Sequence, residues 1–64
     1  MTQKQLIKYL ESQGYILTRA KTGTHMHFKK PGHRLIITIK DRTPNEKVPK
    51  GAMAGILRRM GVRV

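Results

Sequence analysis

Residues 24–29 read THMHFK, a strict alternation that puts Thr24, Met26 and Phe28 on one side of an extended ribbon and His25, His27 and Lys29 on the other. This period of two predicts a β-strand with one apolar and one polar face. Pro31 and Gly32 follow as turn formers, and RLIITIK at 34–40 is rich in β-branched residues. A hairpin into another strand is therefore expected, with Leu35, Ile37 and Ile39 on the same side as Met26 and Phe28.

The flanking segments read as helices. Thr2 and Gln5 have the spacing of a capping box, Leu6, Ile7 and Leu10 recur at helical spacing, and Gly14 supplies a stop, so a helix is expected over 3–13. YILTRA at 15–20 is β-prone and leads into a basic turn at Lys21, Thr22 and Gly23. Residues 41–49 contain Pro44, Asn45 and Pro49 without a period and read as an exposed loop. Beyond them Met53, Ile56, Leu57 and Met60 fall at i, i+3, i+4 and i+7, with Gly61 as the C-terminal cap.

The order is helix, three antiparallel strands, helix: an α+β fold in one domain spanning 1–64. Each helix has a single apolar stripe, so both are expected on one face of the sheet, leaving the other open to water. Met26 and Phe28 then point inward, and His25 and His27 outward. A chain of 64 residues buries only roughly 60% of its unfolded surface. A deep enclosed pocket is not expected. The absence of cysteine excludes a disulfide scaffold and a thiolate metal site and makes the reducing cytoplasm the default location. No segment approaches the roughly 20 apolar residues that span a bilayer.

Fourteen Lys and Arg against three acids give a formal charge of +11, spread along the chain. A basic field of this size favours a polyanion through phosphate contacts and counterion release, and nucleic acid is the leading partner. An anionic membrane would call for aromatic anchors, and Trp is absent. An acidic protein partner is compatible with the same charge. Arg19, Lys21 and Lys30 surround the histidine strand. Lys47 and Lys50 flank the start of the second helix, where they are either solvated or a docking place for phosphate.

Two imidazoles on an open, basic strand face suit one chemistry that needs no metal or cofactor. A general base removes the proton of an RNA 2′-hydroxyl, the oxygen attacks the adjacent phosphorus, and Lys or Arg stabilises charge on the phosphoryl oxygens. The same residues also read as ordinary polar filling of a solvated face, or as a His-x-His metal pair with His33 as a third donor. The metal reading is weakened by scattered acids, Glu11, Asp41 and Glu46, and by the position of His33 past a turn. Ser12 is the only serine and lies near a helix end, remote from any His and acid pair. A basic RNA-binding module without chemistry is the remaining alternative.

Three stretches in order, LIKYLESQGY, the central Gly23, Thr24, His25 and Phe28, and the closing VPKGAMAGILRRMGV, resemble the HicA family of bacterial toxins over about Thr2 to Val62. The resemblance implies a fold like a double-stranded-RNA-binding domain and an mRNA interferase acting on RNA in the cytoplasm. It also implies neutralisation by a HicB-like antitoxin protein. The histidine implicated in cleavage falls on His25; the strand pattern, rather than the resemblance, offers His27 and Lys29, with the neighbouring Thr24, as auxiliaries. Thr24 stands where Ser is commoner, which keeps the hydroxyl. Met26 stands where many members carry a second histidine, and His27 lies one residue further along.

Overall fold

The computed structural model describes residues 1–18 and 23–62. Its elements are α1 (Gln3–Ser12), β1 (Ile16–Leu17), β2 (His25–Lys29), β3 (Ile36–Lys40) and α2 (Lys50–Arg59). The strands form one antiparallel sheet in the order β1-β2-β3, so β3 has a free edge. This is the helix, three-strand, helix arrangement of a double-stranded-RNA-binding-domain-like fold. α1 and β2 are each one residue shorter than expected and β3 two residues shorter, while β1 pairs over two residues where a longer strand was expected. Arg19 and Ala20, in the remainder of that expected strand, lie outside the described residues.

α1 starts as its capping box predicts. The Thr2 hydroxyl accepts from the Gln5 N–H at 3.3 Å, and the Gln5 side-chain oxygen accepts from the Thr2 N–H at 2.8 Å. Two further donors of the first turn, which no helix can satisfy internally, reach loop carbonyls. Gln3 N–H donates to Glu46 at 2.8 Å and Lys4 N–H to Pro44 at 3.0 Å. The chain leaves α1 at Gly14, whose φ of +90° suits a residue without a Cβ. Its N–H and that of Tyr15 then close the helix on the carbonyls of Glu11 and Leu10.

The core lies between the helices and one face of the sheet. Leu6 and Leu10 from α1, Phe28 from β2, Ile37 and Ile39 from β3 and Ile56 from α2 are buried together with Tyr15 and Val48. Met26 and Leu35 pack against this cluster from partly buried positions. Alternation in β2 and β3 thus selects the inner residues as expected, and both helices cover that one face. Burying a side chain of this size stabilises by about 1.5–3 kcal/mol relative to leaving it in water.

The 41–49 segment departs from the exposed loop expected of it. Its carbonyls cap α1, Thr2 bridges Lys47, Val48 N–H donates to the Met1 carbonyl at 2.9 Å, and the Val48 side chain enters the core. A single apolar residue among prolines and polar groups shows no period, which is why local pattern does not mark it. Gln3, fully buried, ties α1 to the sheet by donating from Nε2 to the Lys40 carbonyl at 2.9 Å.

Candidate functional site

Register decides which side chains stand near which. His25 lies opposite Lys40, His27 opposite Thr38, and Lys29 opposite Ile36, all on the sheet face away from the helices. His25 is exposed, whereas His27 is half-buried and its Nδ1 lies 3.0 Å from the Thr38 hydroxyl. The Thr24 hydroxyl lies 3.4 Å from Nδ1 of His25, at the long end of hydrogen-bond distance. Residues two apart on a strand are about 6.6 Å apart along it, so the two imidazoles share a face without touching backbone to backbone.

The cations divide. Lys29 is four residues from His25, about 13 Å along the strand, and its row on the open face is completed by Ile16 and Ile36, both roughly half exposed. Lys30 is further still, with its ammonium 5.9 Å from the centroid of the Tyr15 ring. Lys47 and Lys50 are exposed at the start of α2, whose N-cap, Pro49, makes no side-chain capping bond. Arg19 and Lys21 lie outside the described residues. The cation that the structure sets directly across from His25 is Lys40.

A groove of about 330 Å³ opens where the free edge of β3 meets α2. His25 and Lys40 stand at one end, Arg42 and Arg59 join them, and Gly51 and Gly55 come from the helix. None of the groove-lining residues is acidic. Lys40, Arg42 and Arg59 carry no motif and sit 15 to 34 positions from His25 in the chain, so only strand register and helix packing reveal them. Arg42 is nearly buried on its side chain and has Glu46 as an ion-pair partner at 3.7 Å. Among the described residues no three His, Asp or Glu side chains converge as a metal-binding group.

The chain matches the profile of the family described as HicA toxin of bacterial toxin-antitoxin over residues 4–62. It belongs to the HicA toxin family. A solved structure described as a toxin-antitoxin complex from Streptococcus pneumoniae superposes with a TM-score of 0.75 at 35% sequence identity, covering 97% of this chain and 98% of that one. No curated protein matches the sequence. The HicA match covers the β2 histidines, the groove residues of β3 and α2 and the buried core alike, so family membership concerns the whole fold rather than one motif.

Proposed function

We propose that this HicA-family chain is a toxin-type endoribonuclease whose chemistry centres on His25. The observation that carries the proposal is an exposed imidazole on the open sheet face, with Lys40 directly across from it and three acids in the whole chain. In the reaction, His25 takes the proton of a ribose 2′-hydroxyl. The O2′–P bond forms, the P–O5′ bond breaks, and a proton goes to the departing 5′-oxygen, leaving a 2′,3′-cyclic phosphate and a 5′-hydroxyl. Neighbouring cations hold the non-bridging oxygens as charge develops on them. His27 is the nearest second imidazole for the proton delivered to O5′. Lys29, Lys30, Lys47 and Lys50, with Arg19 and Lys21, contribute to the basic field that gathers the polyanion.

Incubating the purified chain with RNA in the presence of EDTA tests this. We expect 5′-hydroxyl fragments and no cutting of the matching DNA, which lacks the attacking hydroxyl. RNA that is retarded with a steep salt dependence yet stays intact would replace the proposal by a basic RNA-binding module, and activity that requires added metal would remove its metal-independent step.

We further propose that an antitoxin protein of the HicB type covers this surface, acting in the cytoplasm where mRNA is found. The S. pneumoniae structure is of a toxin with its antitoxin. The present chain offers a +11 charge together with exposed Ile16 and Ile36 on the same open face for such a partner. No helix among the described residues is long and apolar enough to cross a membrane. A partner that binds only the folded toxin at a hundred times its Kd raises stability by about 2.7 kcal/mol. Co-expression with the product of the adjacent gene should therefore raise the melting temperature and suppress cleavage; an unchanged melting curve and unchanged cutting would count against it.

A further inference from the structure

The groove at the free edge of β3 contains features that the His25 chemistry alone leaves unused. Arg59 reaches from the last turn of α2 to the sheet, its Nη2 donating to the Ile36 carbonyl at 3.0 Å. At the other end of the same edge, Gln3 occupies the Lys40 carbonyl. The alternation that turns those two carbonyls outward also turns the Thr38 peptide N–H toward the free edge, between them. From Ile36 to Lys40 this edge runs for about 13 Å, room for a few nucleotides. Arg59 stands near one end, His25 and Lys40 at the other.

Gly51 and Gly55 face this space one helical turn apart. Both have ordinary helical conformation, so no positive φ requires glycine at either position. A Cβ built at either would meet nothing within 4 Å. Gly51 is in the first turn, but Gly55 lies inside the helix, where glycine costs about 0.8–1 kcal/mol relative to alanine. Neither backbone geometry nor intramolecular packing accounts for that cost, whereas the close approach of another chain along the groove would.

We propose that this groove is the track of a single RNA strand, with Lys40, Arg42 and Arg59 as positioning residues and Gly55 kept small so that the sugar-phosphate backbone lies against α2 and reaches His25. The proposal rests on the endoribonuclease reading above and adds to it the route and the side from which substrate enters. In-line attack supports one strand rather than a duplex, because A-form stacking keeps the 2′-oxygen out of line with the leaving 5′-oxygen. The strand must leave helical geometry to react. A basic groove whose lining residues include no Phe, Tyr or Trp holds such a strand chiefly by phosphate rather than by base stacking.

The test is a binding measurement that does not depend on cleavage. A fluorescent single-stranded 2′-O-methyl oligonucleotide of about 12 residues, which lacks the attacking hydroxyl, is titrated by anisotropy against wild type, Gly55→Leu, Arg59→Gln and Lys8→Gln. Gly55→Leu should weaken binding at least about tenfold while its melting temperature holds or rises, because leucine is the better helix former. Arg59→Gln should weaken binding more than Lys8→Gln, which removes the same charge from α1, and should lower the salt slope by about 0.7. Wild-type affinity in Gly55→Leu, or equal losses in Arg59→Gln and Lys8→Gln, overturns the track. If instead these binding losses appear but wild type leaves ordinary RNA intact, the track stands and the cleavage reading fails.

Discussion

His25→Ala should lower the rate of RNA cleavage by about 10²–10⁴-fold, the range contributed by a positioned general acid or base, with no loss of folding stability. The two halves of this expectation come from the same geometry. His25 is exposed on the open face and contributes nothing to the core, so its removal belongs with surface substitutions worth less than about 0.5 kcal/mol. His27 is placed differently, with Nδ1 3.0 Å from the Thr38 hydroxyl and the residue half-buried. As the group that gives the proton to O5′, His27 should on replacement by Ala also slow cleavage by about 10²–10⁴-fold, whereas a ring that only orders the strand face leaves the effect within about tenfold. Single-turnover cleavage of one defined RNA, with melting curves for each variant, measures both. Full activity in His25→Ala would remove the proposed chemistry. A loss in His27→Ala as large as that in His25→Ala would show two imidazoles sharing the proton transfers.

Phe28→Ala should remove a large share of the isolated chain's folding stability. The ring is 2% exposed and stands at the middle of the core, with Leu6 and Leu10 from one side and Ile37 from the other strand in the same cluster. Phe-to-Ala truncations in a core cost about 3–5 kcal/mol. At about 0.05–0.15 kcal/mol per residue, a domain of this size has only about 3–10 kcal/mol to lose. Circular dichroism during urea and thermal unfolding is the measurement, and Phe28→Leu is the companion variant that retains most of the volume. A cooperative transition in Phe28→Ala within about 1 kcal/mol of wild type would mean that the ring is not the centre of the fold. Because Phe28 lies three residues from His25 on the opposite face, activity lost in Phe28→Ala should return in Phe28→Leu; loss in both with an intact fold would point to a role for the strand's exact position.

Much of this is legible in the sequence itself. The Thr2 and Gln5 capping box, the helical stripes of α1 and α2, the alternation of β2 and the outward aim of His25 are all local properties. Each follows from a residue's spacing to neighbours within one or two turns or one strand. The buried Gln3 was not legible, since a polar residue in a first turn reads as exposed until its Nε2 finds the Lys40 carbonyl. Val48 was hidden in the same way, because an apolar side chain in an aperiodic loop is assigned a side only when the loop folds back on α1.

The site shows the same division. Spacing alone placed Lys29 on the face of His25, and the pleat confirms that shared face, yet four residues of extended chain separate them by about 13 Å. Strand pairing brings Lys40 opposite the imidazole, and helix packing brings Gly51, Gly55 and Arg59 to the same edge. Periodicity along the chain dictates which way a side chain points, because backbone sterics repeat every two or 3.6 residues regardless of context. Which distant side chains meet depends on register and on the seating of α2 against β3, and these are set by burial of Phe28, Ile37, Ile39 and Ile56 together, a cooperative event that no local stretch contains.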